Sequence, residues 1–162
     1  LVPAESAAIT LYENDMKYAQ ETNSPFINYY DTGKMYANQI VSPWKQMSIG
    51  KRVKITGQLS KYFDGGQMMF INIPSPFQNT HQMEKVVKGV IKYGVPYFAF
   101  DTWLIQCING HITLGDSQVC PICGSEHIFR FRRIVGYFVE ESNMHERKIR
   151  DVPNRKIDTD GN

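Results

Sequence analysis

Apolar positions between residues 83 and 91 recur at helical spacing, with Met83, Val86, Val87, Val90 and Ile91 at i, i+3, i+4, i+7 and i+8. Such a stripe predicts a helix with that face in the core. Asn79 can cap its start, Gln82 stands three residues later, and Gly94 permits its stop. Upstream, the mostly apolar run Met68 to Ile73, between Asp64-Gly65-Gly66 and Pro74, predicts a buried strand. Tyr97 to Phe100 predicts a short second strand. Strand, helix and strand with short connections predict a parallel crossover unit within an α/β architecture.

The pattern is weaker elsewhere. Ala7, Ala8, Leu11 and Tyr12 predict a helix over residues 3–22, and a second helix is expected over about 43–62, its ends blurred by Gly50 and Gly57. Residues 23–44 are rich in Asn, Ser, Pro, Gly and Tyr without a period and predict an irregular connection. After about Glu140 the chain turns charged and rich in Pro, Asn and Asp, so its last dozen residues are expected to be loose. No internal repeat or low-complexity segment interrupts it.

Composition narrows the function classes. The 162 residues suffice for one modest domain or a piece of a larger one, and aromatics at 12% predict a folded core. A formal net charge of +2 points to neither a nucleic-acid partner nor an acidic substrate. No run of 18 apolar residues and no basic-then-apolar leader order occurs, so the expectation is a soluble, cytoplasmic protein. The start at Leu1, without methionine, is what a segment of a longer polypeptide or a split subunit would show.

The three cysteines, Cys107, Cys120 and Cys123, are clustered and odd in number, which argues for a metal rather than a disulfide framework. Cys107-x3-His111 and Cys120-Pro121-Ile122-Cys123-Gly124 each form a tight turn carrying two soft or borderline ligands. Two such turns close a tetrahedral Cys3His site that suits zinc and leaves no open position for catalysis, so a structural role is expected. Metal binding would supply much of the folding free energy of so short a span. A Cys-x-x-Cys pair alone reads equally as buried thiols or a redox motif, and His127 is the alternative to His111 as fourth ligand. Arg130, Arg132 and Arg133, interleaved with Phe129 and Phe131, offer a second class of function, a zinc-ribbon module binding nucleic acid. The same alternation also describes a half-buried strand.

Arg133-Ile134-Val135-Gly136-Tyr137-Phe138 follows the second knuckle. Alone it is an apolar strand with a glycine at a bend. Its position directly after Cys120-Pro121-Ile122-Cys123-Gly124 resembles the C-terminal segment of the anaerobic (class III) ribonucleoside-triphosphate reductases, members of the glycyl-radical enzymes. Pro3-Ala4-Glu5-Ser6-Ala7-Ala8, Tyr36-Ala37-Asn38-Gln39, Gly65-Gly66, Tyr97-Phe98-Ala99-Phe100 and Cys107 with His111 extend the resemblance over nearly the whole chain.

The resemblance implies the C-terminal part of a glycyl-radical-enzyme α/β barrel, with a small zinc ribbon and a glycyl-radical loop. Its expected divisions are a barrel-completing segment over 1–103, the ribbon over 104–127, and the loop and charged tail over 128–162. It also implies that Gly136 stores the radical, with Arg133 and Tyr137 shaping the loop. Only glycine leaves the Cα free of a Cβ that would crowd a planar radical centre, and Ile134, Val135 and Phe138 are expected to bury it away from oxygen. The implied partners are an iron–sulfur, S-adenosylmethionine-dependent activating enzyme, the remaining portion of the reductase and a ribonucleoside triphosphate. The product would be a deoxyribonucleotide for DNA synthesis. All three cysteines fall in the ribbon, so the thiyl-forming cysteine and the allosteric nucleotide-binding region are expected elsewhere and the chain alone is expected to be inactive. A free-standing glycyl-radical subunit that rescues another radical enzyme is the alternative within the same chemistry. Glu5, Ser6, Asn38 and Gln39 are candidates to line the nucleotide cavity, with capping and turn roles as their alternative. Asn143, Glu146 and Arg147 resemble the family's charged tail and are expected at the solvated surface.

Overall fold

The computed structural model describes residues 5–24, 35–37, 39–133 and 136–159. Asn38, Ile134 and Val135, named above, lie outside the described residues, as do the side chains of Glu5, Ser6, Glu146 and Arg147.

The predicted crossover unit is present. Strand β1 (Met68–Asn72) pairs in parallel with β2 (Tyr97–Asp101), Met68 opposite Tyr97 and Asn72 opposite Asp101. Helix α3 (Thr80–Lys92) joins them, and Asn79 caps it by accepting from the Gln82 amide at 3.0 Å. Every residue of β1 is buried, which is why its sequence runs apolar instead of alternating. Helix α2 (Ile49–Ser60) packs beside α3, and Ile49, Val53, Met69, Ile71, Val90 and Val95 form the core between helices and sheet.

The helical stripe is core only in part. Val90 is buried and Val86 packs against the core, but Met83 is 42% exposed and Ile91 71%. A helix leaning on one helix and a two-stranded sheet covers a narrow line, and the ends of a wide stripe stay outside it. The predicted second helix is likewise shorter than expected, because Ser48 caps it at Ile49 and turns occupy residues 43–45. In helix α1 (Glu5–Thr22) the buried face is Ala8, Ile9 and Tyr12, set against Met35 and Trp44, whereas Ala7 and Leu11 face outward.

A second sheet follows after the single residue Thr102. It is antiparallel, ordered β4 (Ile112–Leu114), β3 (Trp103–Cys107), β5 (Ile128–Arg133) and β6 (Phe138–Glu140). Among the described residues no closed barrel forms, since the parallel sheet has two strands.

The C-terminal segment corrects the expectation of looseness. Helix α4 (Glu146–Asp151) and a 3-10 turn (Val152–Asn154) lead to a stretch in which Asp151, Arg155 and Asp158 are buried. Asp158 exchanges bonds with the open edge of β1, its amide donating to Asn72 O at 2.9 Å and its Oδ2 accepting from Asn72 N at 3.0 Å. Charged side chains here are internal ties, so composition alone misreads the segment.

Candidate metal centre and glycine loop

Strand β3 ends on Cys107, and a tight turn reverses the chain at once. The Gly110 amide donates to Cys107 O at 2.9 Å, and the Cys107 amide to His111 O at 3.0 Å. The second knuckle repeats this design, with the Gly124 amide on Cys120 O at 2.8 Å and the Cys120 amide on Ser125 O at 2.8 Å. Gly110 and Gly124 have φ of +81° and +71°, the left-handed conformation that glycine takes without penalty.

The two turns bring four ligand atoms together. His111 Nδ1 lies 3.5 Å from Cys107 Sγ and 3.8 Å from Cys120 Sγ, Cys107 and Cys123 Sγ are 3.9 Å apart, and all four ligand atoms fall within 4.8 Å. A tetrahedral zinc ion, with Zn–S of about 2.3 Å and Zn–N of about 2.1 Å, places its ligands roughly 3.6–3.8 Å apart. The donor set and spacing therefore fit zinc, and the same separations exclude a disulfide, whose sulfurs would stand about 2.05 Å apart. His111 supplies the fourth ligand atom of this group, which could hold a metal ion, and His127 is exposed outside it. The Asn109 side-chain amide, donating to Cys123 Sγ at 3.4 Å, is the chief reason the Cys123 thiol is lowered to about 6, and the Ser125 backbone adds to this. Burial pushes Cys120 the other way.

Strand β5 returns from the ribbon and pairs with β6, Arg133 opposite Phe138, so Gly136 and Tyr137 lie in the connection between two antiparallel strands. Gly136 has φ of +128°, a conformation side chains rarely adopt, and among the described residues nothing beyond its chain neighbours lies within 4 Å of where a Cβ would stand. Among the described residues the expected burial is not provided, since Gly136 is exposed, Tyr137 is 63% exposed and Phe138 49%, while Ile134 and Val135 lie outside the described residues. Lys148 Nζ stands 5.0 Å over the Tyr137 ring, and Arg133 Nη2 donates to Tyr97 Oη at 3.4 Å. Both loop-shaping candidates thus make contacts away from the glycine itself.

The remaining candidates separate. Gln39 is buried and its Oε1 accepts from the Phe70 amide at 2.9 Å, closing an open position on β1. Asn143 is exposed and donates to Glu140. Two of the three arginines proposed for nucleic acid pair with carboxylates of the chain itself: Arg130 with the exposed Asp116 at 2.8 Å and Glu141 at 3.5 Å, and Arg132 with the buried Asp101 at 2.9 Å. Sequence reasoning missed Asp101, a lone acid closing an aromatic strand, because nothing near it in the chain signals its partners.

A family model for anaerobic ribonucleoside-triphosphate reductase matches residues 1–157. The chain belongs to that family. Among solved structures, an anaerobic ribonucleotide reductase shares 32% identity over 99% of this chain with a TM-score of 0.74. The Thermotoga maritima anaerobic ribonucleotide reductase in complex with dATP and CTP shares 30% identity over 95% at a TM-score of 0.66. The same reductase with MES in the active site shares 33% over 87%, also at 0.66. This member of the family spans about a quarter of the length of those reductases, covering 24%, 23% and 22% of them. No curated protein matches it. Among the described residues, no helix of this reductase-family chain is long and apolar enough to cross a membrane.

Proposed function

We propose that this chain is the radical-storing part of an anaerobic ribonucleoside-triphosphate reductase, completing its α/β barrel and carrying the radical on Gly136. The observation that carries the reading is the order of parts in a chain of this family: a Cys3His cluster, then a strand, then a hairpin loop holding Gly136. An exposed glycine at a hairpin tip can be offered to a thiol on another part of the protein, which would also supply cover from oxygen that the described residues do not give.

In this reading an S-adenosylmethionine-dependent iron–sulfur enzyme removes one hydrogen atom from the Gly136 Cα. The captodative pull of the flanking amide nitrogen and carbonyl spreads the unpaired electron, which is why the position must lack a Cβ. The glycyl radical takes a hydrogen atom from a cysteine thiol supplied from outside this chain, because Cys107, Cys120 and Cys123 all belong to the metal cluster. The resulting thiyl radical abstracts the ribose 3′ hydrogen, the protonated 2′ hydroxyl leaves as water, an external two-electron donor (formate or a thiol protein) reduces the ribose radical, and return of the 3′ hydrogen from the thiol gives the deoxyribonucleotide and regenerates the thiyl radical. Zinc, when bound, holds the ribbon from which β5 emerges and takes no part in the chemistry.

The test is electron paramagnetic resonance after anaerobic incubation with the activating enzyme, S-adenosylmethionine and a reductant, with and without the remainder of the reductase. A glycyl doublet that disappears in Gly136→Ala, and chain cleavage at Gly136 on exposure to air, are expected. A zinc-loaded, folded protein that gives no doublet under any of these conditions overturns the reading.

A further inference from the structure

The strand that delivers Gly136 is anchored by a carboxylate from the other sheet. Asp101, the last residue of β2, is 0% exposed. Arg132, four residues before Gly136, forks onto it, with Nε 3.1 Å from Oδ1 and 3.2 Å from Oδ2, and Nη2 donating to Oδ2 at 2.9 Å. From the opposite side Arg155 Nη1 donates to Asp101 Oδ2 at 2.8 Å. Arg155 Nε also donates to Asp151 Oδ2 at 2.8 Å, and Asp151 Oδ1 accepts from the Trp44 indole at 2.8 Å. The row Arg132–Asp101–Arg155–Asp151 thus alternates two guanidiniums with two carboxylates.

Among the described residues the loop is thinly held. Gly136, Tyr137 and Phe138 are exposed, and β6 pairs with β5 through Phe131–Glu140, Arg132–Val139 and Arg133–Phe138. Its place is therefore set by its stem. Arg132 is the stem residue with a two-oxygen ion pair, and a planar fork on a carboxylate fixes orientation as well as distance. The Trp103 ring, 5.3 Å from the Arg132 guanidinium and 4.2 Å from that of Arg130, backs the same strand.

We propose that Asp101 is a positioning residue for the radical loop. Through Arg132 it sets where β5 ends and Gly136 begins, and through Arg155 it ties that place to the docked C-terminal segment. The proposal rests on the reading of Gly136 as the radical site. Hydrogen-atom transfer needs the donor and acceptor close, and a misplacement of about 1 Å can cost roughly a hundredfold in rate.

The test compares Asp101→Asn, which keeps the shape and removes the charge, with Arg132→Lys, which keeps the charge and removes the fork. Phe129→Leu, at an exposed position on the same strand, is the control. All are made in the assembled, zinc-loaded reductase. Two readouts are taken per folded molecule: amide hydrogen exchange over residues 133–138, and glycyl doublet intensity after activation. Both test variants are expected to exchange about tenfold faster there and to lose about tenfold or more of the doublet, while Phe129→Leu changes neither. Wild-type exchange and doublet in a folded Arg132→Lys overturn the proposal, as does faster exchange with a full doublet. If Asp101→Asn fails to fold, Arg132→Lys decides. If the wild type gives no doublet, the Gly136 reading falls, and exchange over 133–138 alone decides whether Asp101 anchors the loop.

Discussion

Arg52 and Asp158 stand 106 positions apart in the chain, yet Arg52 Nε donates to Asp158 Oδ1 at 2.7 Å with both side chains fully buried. Arg52 also donates to the carbonyls of Val41 and Ser42 at 3.0 and 3.1 Å and of Lys45 at 2.8 Å. One guanidinium therefore holds α2, the irregular segment before it and the C-terminal segment together. Removing Asp158 leaves a buried cation without its counter-charge, which costs about 3–5 kcal/mol. Asp158→Ala is expected to lower stability by that amount in denaturant unfolding, far more than loss of an exposed pair such as Glu84–Lys88.

The metal cluster predicts a local failure. Cys120→Ser or His111→Ala should weaken zinc affinity by more than about a hundredfold, since outer-shell losses alone cost about 10–100-fold. His127→Ala should leave affinity unchanged. Chelation should expose residues 107–127 to protease and spare the α2–α3–sheet core, which contains no ribbon residue. Competition with a zinc indicator and limited proteolysis measure both.

Two glycines in neighbouring helices should respond in opposite directions. A Cβ on Gly57 would lie 2.0 Å from the Tyr93 carbonyl oxygen, so α2 touches the end of α3 through its bare backbone. Gly57→Ala should destabilise by about 1–3 kcal/mol through forced separation of the helices. Gly89 in α3 meets nothing within 4 Å, and Gly89→Ala should stabilise by up to about 1 kcal/mol through helix propensity. Thermal unfolding of the two variants checks the signs.

Tyr36 Oη donates to Asp15 Oδ2 at 2.7 Å, and burial, reinforced by Asp15, pushes the phenol up to about 12. The folded value lies above the unfolded one of about 10, so the contribution is full below pH 10 and is lost as pH rises toward 12. Between those limits the wild type should lose stability more steeply than Tyr36→Phe, as read from unfolding midpoints against pH.

Legibility in the sequence followed the range of the interaction. The cap at Asn79, the stop near Gly94 and both knuckles of the Cys3His cluster were readable because each is built from residues a few positions apart. The four candidate ligands lie together for the same reason, because each pair is carried by one short turn. Burial was less readable. The stripe from Met83 to Ile91 announced a helix correctly, but how much of it is covered depends on what packs there, and here only Val86 and Val90 meet the core.

By itself, then, the chain's order of residues determined the parallel crossover unit, the turns that carry the candidate metal ligands and the family to which the resemblance pointed. The tertiary structure alone decided that the charged C-terminal segment is an internal tie, that Asp101 gathers Arg132 and Arg155, and that Gly136 is exposed at a hairpin tip. The physical reason is loop closure. A pair such as Arg132–Asp101 or Arg52–Asp158 exists only once the intervening chain has paid its entropy and returned, and no local pattern records where that return will end.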